Sequence, residues 1–216
     1  MAKLFLIAGL GADRRLFDKL SLPGHELVHV DWIEPEKHDT ISTYAKKLIE
    51  HYQIPEGANL LGVSLGGIMT VEISNMNRLG KAIIVSSIKE SSEIPPYFRF
   101  FRRVPIYKIL PHRFYVSMGN LIKPLFGDTK GKTGFLFVDM IKHSSPVFMR
   151  WAMHAVLRWK PKPVTQKTYH IIGNNDLIFP HRYINSSTHI VERGSHDMVY
   201  TRAAEISGII LDILNE

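Results

Sequence analysis

Short apolar runs alternate with single stretches of helical spacing along most of this chain, and that alternation restricts the fold more than any other feature. The runs are Lys3 to Ala8, Leu27 to Trp32, Ala58 to Val63, Lys81 to Ser86, Lys167 to Ile172 and Thr188 to Glu192. Lys3 to Ala8 is nearly continuous in apolar residues, as expected for a strand covered on both faces. Between the runs, helices are predicted over Asp13 to Leu20 and from Asp39-Thr40 to about Tyr52, where Ile41, Tyr44, Ala45, Leu48 and Ile49 recur on one face. Further helices are predicted over Leu65 to Leu79 with Gly80 as its C-cap, from Pro180 onward, and over Arg202 to Leu214. Strands separated by single helices imply βαβ units and a parallel sheet.

The alternation breaks between residues 89 and 163. That stretch carries Pro95-Pro96, Pro105, Pro111, Pro124 and Pro146 among aromatic helical pieces, the best formed being Val147 to Trp159. The expected fold is therefore α/β: about six strands in a mostly parallel sheet, helices on both faces, and a helical cap insertion at 89–163. At 216 residues the chain reads as a single domain, 1–216.

Composition excludes several chemistries. There is no cysteine, so disulfide frameworks, thiol catalysis and zinc–thiolate sites are ruled out, and a reducing, cytoplasmic location is expected. The net charge of +7 reads first as solubility and secondarily as attraction to anionic partners. Phe98-Arg99-Phe100-Phe101-Arg102-Arg103 clusters part of that charge, with no nucleic-acid motif beside it; a membrane surface is the lesser alternative partner. Met1 to Leu10 has the outline of a short signal peptide but runs into Gly11-Ala12-Asp13-Arg14-Arg15 without a good cleavage site, and is read as a buried strand. No metal site or cofactor is expected: His25 and His29 lack both a helix and a third ligand.

Gly62-Val63-Ser64-Leu65-Gly66-Gly67 joins the third strand to a helix. A turn that must expose one hydroxyl at the carboxyl end of a strand needs small neighbours, because the chain doubles back sharply. The bland reading of Ser64 is a helix N-cap. A serine nucleophile needs a base, and the base an orienting group. His196, in Arg193-Gly194-Ser195-His196-Asp197 after the last strand, is the leading base, with His181 second. Asp176, in Gly173-Asn174-Asn175-Asp176 after the penultimate strand, is the leading acid; its bland reading is an Asx turn, and Glu90 is the alternative acid. Asp197 adjoins His196 and is poorly placed to reach its neighbour's ring. Donors for an oxyanion are expected from the Leu65 N–H at the helix start and the Leu10 N–H in Gly9-Leu10-Gly11. Gly9, Phe98, Trp151 and His154 are candidates for substrate contact. Packing competes with that role for Phe98, and a surface stripe for His154.

On these residues the chain resembles the α/β-hydrolase fold superfamily. The resemblance is carried by Gly62 to Gly67, Gly173 to Asp176 with Pro180, and Gly194-Ser195-His196, and it covers the whole chain in element order. It implies Ser64 as nucleophile, His196 as base then acid, and Asp176 as its orienter. Two features depart from the pattern. Relatives often show His-Gly after the first core strand; Ala8-Gly9 stands here, which removes the usual outer support of the oxyanion loop but not its backbone donor. The two N-terminal strands of larger members are also expected to be lacking. Gly9 to Phe17 resembles small bacterial members of unassigned substrate.

The expected function is a serine hydrolase cleaving an ester or thioester of a small-molecule acyl substrate through an acyl-enzyme. A same-fold lyase or carbon–carbon bond hydrolase and a non-catalytic ligand receptor are the alternatives; product analysis and ligand-induced stabilisation without turnover distinguish them. Gly127 to Thr133 imitates a phosphate-binding loop but has one residue too few between its glycines, and is read as a solvated loop.

Overall fold

The computed structural model describes residues 1–105 and 132–216. Over these residues β1 (Ala2–Ile7), β2 (His25–Val30), β3 (Asn59–Val63), β4 (Ala82–Val85), β5 (Thr168–Gly173) and β6 (His189–Val191) form one sheet in the order β2-β1-β3-β4-β5-β6. Every neighbouring pair is parallel, so the sheet is wholly rather than mostly parallel. The helices are α1 (Ile41–Tyr52), α2 (Leu65–Ser74), α3 (Tyr97–Arg103), α4 (Lys132–His143), α5 (Pro146–Arg158), α6 (Met198–Thr201) and α7 (Ala203–Asn215).

The period-two alternation of a strand decides which residues pack where. Phe5 and Ile7 of β1 join Leu60 and Ile84 in one core, against Tyr44 and Leu48 of α1 and Ile68 and Met69 of α2. Leu4 and Leu6 join Leu61, Ile83 and Ile171 in a second core on the opposite face, against Phe17, Met198 and the α7 residues Ile206, Ile210 and Ile213. Each such side chain contributes about 1.5–3 kcal/mol on full burial. A one-residue slip of β1 would exchange the two sets, so both cores hold the register.

Local chemistry explains where elements begin. Thr40 caps α1: its hydroxyl accepts the Thr43 N–H, and the Thr43 hydroxyl accepts the Thr40 N–H. Ser145 caps α5 by accepting the Phe148 N–H at 3.2 Å, with Pro146 in the first turn. Three expected helices are shorter. Asp13 to Leu20 yields only a 3-10 turn, Arg14–Phe17, capped by the Asp13 carboxylate, which accepts the Arg15 N–H. The segment after Pro180 is a 3-10 turn, His181–Tyr183. Helix α2 stops at Ser74 instead of Leu79: the last turn tightens as the Met76 and Asn77 N–H groups both close on the Ile73 carbonyl, and Asn77 turns its side-chain amide to the Ile54 carbonyl. Gly80 consequently caps no helix; its N–H bonds the Ala58 carbonyl at the entry to β4.

Helices α3, α4 and α5 lie between β4 and β5. Helix α5 buries Phe148, Trp151, Ala152 and Ala155 along one face, and Trp151 packs on Tyr44 of α1 with ring centroids 4.3 Å apart. Arg15 bridges Asp13 and Asp139, each at 2.7 Å, and ties α4 to the turn after β1. Segment 127–131 of the phosphate-loop imitation, with Pro111 and Pro124, lies outside the described residues. Among the described residues no helix is long and apolar enough to cross a membrane.

Candidate active site

The order of the sheet creates the site. From β1 the chain crosses to β2 on one side, then returns past β1 to β3 on the other. The carboxyl ends of β1 and β3 are therefore a switch point, where connections diverge and leave a crevice. The loop after β1 and the turn after β3 face each other there: a Cβ on Gly9 would lie 3.3 Å from the Cβ of Ser64.

Ser64 sits at φ 55°, ψ −115°, a strained conformation for a residue with a side chain. It stands at the N-cap position of α2 but makes no capping bond, so the helix-cap reading of its hydroxyl is overturned. Bare α-carbons permit the turn. A Cβ on Gly62 would come within 2.1 Å of the Gly66 carbonyl oxygen, and one on Gly66 within 2.0 Å of the Ile7 carbonyl oxygen. Ser87, just past β4, clamps the turn from below, its Oγ donating to the Ser64 carbonyl at 2.7 Å.

His196 and Asp176 arrive on the loops after β6 and β5. These loops touch through glycine: a Cβ on Gly173 would be 2.1 Å from the Gly194 carbonyl oxygen, and that oxygen accepts the Asn175 N–H at 3.0 Å. Asn174 adds two bonds across the gap, accepting the Arg193 N–H at 2.7 Å and donating to Glu192 at 2.6 Å. The imidazole Nδ1 of His196 lies 2.8 Å from Asp176 Oδ2, and its Nε2 lies 3.0 Å from Ser64 Oγ. Asp176 and His196 are buried and Ser64 is half-buried. The other Asp176 oxygen accepts the Ile178 and Phe179 N–H groups at 2.8 and 2.9 Å. The Asx turn is thus real, and it aims the remaining oxygen at His196 rather than competing with it. A carboxylate only accepts, so Nδ1 carries the imidazole proton and Nε2 is left to accept the serine hydroxyl.

The other candidates fall into place around this line. Glu90 accepts from Asn185, and His181 stays in the turn after Pro180, so neither displaces Asp176 or His196. Asp197 faces Ser195 and Thr201 rather than the neighbouring ring, and burial raises its pKa. Leu10 and Leu65 offer N–H groups that take no acceptor among the described residues. Phe98 is buried, its ring 6.1 Å from that of Phe179, which is 5.7 Å from the His196 ring. Trp151 belongs to the contact between α5 and α1, its indole donating to the Asp39 carbonyl at 2.8 Å, so packing explains it; His154 is half-buried on the same helix.

Sequence reasoning missed Ser87, Phe179 and Trp32. Ser87 and Trp32 each follow the end of a strand by two residues, which is the signal that would have found them. Trp32 donates its indole N–H to the Gly9 carbonyl at 3.3 Å. His170, on β5, donates from Nε2 to the Ser87 carbonyl at 3.0 Å; burial, with Lys89 nearby, depresses its pKa from 6.5 to about 3. A cavity of about 190 Å³ opens at the carboxyl ends of β1 and β2, lined by residues including Ala8, His29, Asp31, Trp32 and Met140 but not by Ser64, Asp176 or His196. Among the described residues no group of three or more histidine or acidic side chains is placed to hold a metal ion.

Comparison with known proteins places this geometry in context. The chain is similar over its full length to a bromoperoxidase from Bacillus anthracis, at 18% identity and a TM-score of 0.76, covering 92% of that protein. It is similar over the same share of both chains to an esterase from Exiguobacterium antarcticum, at 15% identity and a TM-score of 0.75. A thermophilic esterase from Thermogutta terrifontis follows at 15% identity and 0.70, with all of this chain and 90% of that one covered. At these identities the likeness is one of fold. No curated protein matches the sequence. Residues 4–208 match the model of the alpha/beta hydrolase family, and the chain belongs to that family.

Proposed function

We propose that this protein is a serine hydrolase that cleaves an ester or thioester through an acyl-enzyme. The observation that carries the reading is the unbroken line from the Asp176 carboxylate through His196 to a strained serine hydroxyl, with spacings of 2.8 and 3.0 Å. Ser64 Oγ attacks the substrate carbonyl while its proton passes to His196 Nε2. The imidazolium formed is held by Asp176, and the oxyanion by the Leu10 and Leu65 N–H groups. Collapse expels the alcohol or thiol, which takes the proton from His196. Water then repeats the sequence, its proton going to His196, and releases the acid and free Ser64.

The likeness of fold to two esterases supports this chemistry without specifying a substrate. Residues 89–163 act in this reading as the cap over Ser64, with Phe98 as the side chain through which the cap reaches the histidine by way of Phe179. A small-molecule acyl substrate is the partner. The test is hydrolysis of p-nitrophenyl esters and acyl thioesters of graded chain length by the wild type and Ser64→Ala. Full turnover by Ser64→Ala would overturn the proposal.

A further inference from the structure

We propose that Trp32 is the positioning residue of the oxyanion loop, doing through its indole N–H what the residue at position 8, an alanine, cannot. The inference rests on the hydrolase reading above. In a trans peptide the C=O and N–H point in opposite directions, and no peptide described here is cis. The carbonyl of the Gly9–Leu10 peptide is taken by two donors, the Ala12 N–H at 3.1 Å within the turn and the Trp32 indole at 3.3 Å from outside it. The Leu10 N–H, the oxyanion donor, is thereby turned the other way, in a loop that lies against Ser64.

The turn alone is a weak restraint. Its central residues are Leu10 and Gly11, the latter at φ 73°, and glycines on both sides of Leu10 leave the peptide plane free to rotate. Trp32, by contrast, is fixed. Its ring stacks on Phe148 at 4.8 Å with planes 28° apart. The residues either side of it are pinned to α1: Tyr52 Oη donates to the Asp31 carbonyl at 2.9 Å, and Tyr44 Oη donates to the Ile33 carbonyl at 2.6 Å while accepting the Ile33 N–H at 3.0 Å. The rigidity of the α1 face is so passed through one indole to one peptide plane.

The test is a cycle of Trp32→Phe and Leu10→Pro. Trp32→Phe keeps the stacked ring and deletes the N–H. Leu10→Pro deletes the oxyanion donor itself, at a turn position that proline favours when a glycine with positive φ follows. Trp32→Phe is expected to lower kcat about 3- to 10-fold, a fraction of the about 10²–10³-fold expected of Leu10→Pro. KM stays within about twofold, and a trifluoromethyl ketone, whose adduct with Ser64 places an oxyanion in the same hole, loses affinity by the same factor as kcat. The pH midpoint of kcat does not move. In the Leu10→Pro background Trp32→Phe costs nothing further, because the indole acts only through the Leu10 N–H.

Unchanged kcat in Trp32→Phe, a loss confined to KM, or losses that multiply in the double variant would each overturn the inference. Trp32→Tyr repeats the cycle if the phenylalanine variant does not fold. Absence of Ser64-dependent hydrolysis in the wild type would instead overturn the hydrolase reading, before the cycle is begun.

Discussion

Asp176→Asn is the sharpest perturbation of the candidate site, because its consequence follows from counting acceptors. The carboxylate takes three N–H donors: Ile178 and Phe179 at 2.8 and 2.9 Å on Oδ1, and His196 Nδ1 at 2.8 Å on Oδ2. An amide has one oxygen. Two backbone donors converge on one position and hold that oxygen there, so the amide NH₂ must face the imidazole. Nδ1 can satisfy that donor only by giving up its proton, which moves to Nε2, the nitrogen 3.0 Å from Ser64 Oγ. The serine proton then has no acceptor. Reversal of the tautomer in a serine–histidine–aspartate system lowers kcat by about 10⁴, or about 5.5 kcal/mol of barrier. All hydrogen bonds are still made, so stability should change by no more than about 1 kcal/mol. The assay is steady-state hydrolysis of the best ester, thermal unfolding of both proteins, and ¹⁵N NMR of His196 to read which nitrogen is protonated. Retention of more than about a tenth of kcat with a folded protein would refute the reasoning.

Other outcomes follow from single contacts. Gly173→Ala places a Cβ 2.1 Å from the Gly194 carbonyl oxygen, so the loops carrying Asp176 and His196 must separate by about 1 Å; kcat should fall about 100-fold, and an unaffected kcat would refute the contact. Trp159→Phe removes the indole donor 2.7 Å from the buried Glu72 carboxyl and should cost about 1.5–3 kcal/mol in urea unfolding; a cost under about 0.5 would count against it. His170 takes no proton in the native state until about pH 3, whereas the unfolded chain binds one below about pH 6.5, so stability falls as pH drops through that window by up to about 1.4 kcal/mol per unit. His170→Gln, whose amide can keep the bond to the Ser87 carbonyl, should flatten the melting temperature between those pH values, and a slope equal to wild type would exclude His170 as its source.

Much of this architecture was legible before the structure because it depends on local periodicity. The apolar runs became strands in the expected order, and Ser64, Asp176 and His196 could be named because each follows a strand end and is flanked by the small or turn-forming residues that such a position demands. What escaped depends on tertiary geometry. The end of α2 at Ser74 is decided by an asparagine reaching the loop before β3, a competitor that helix spacing does not register. Trp151 and Phe148 carry the same aromatic signal as a substrate pocket, yet they serve the contact with α1. Trp32 looked like the last residue of a strand; only the pairing of β1 with β2 brings its indole to the Gly9 carbonyl.

Strands β4 and β5 are hydrogen-bonded neighbours, Ala82 beside Thr168, although the whole stretch with α3, α4 and α5 leaves the sheet between them. The excursion therefore leaves at the carboxyl end of β4 and returns at the amino end of β5, two fixed posts one strand spacing apart sideways and about 10 Å apart along the strands. Doubling the length of chain strung between two such posts costs only ~0.6 kcal/mol of closure entropy. Descendants of this sequence can lengthen or shorten the excursion at little cost while the rim that holds Ser64 keeps its register, so long as Phe148 keeps its seat on Trp32 and Trp151 its seat on Tyr44.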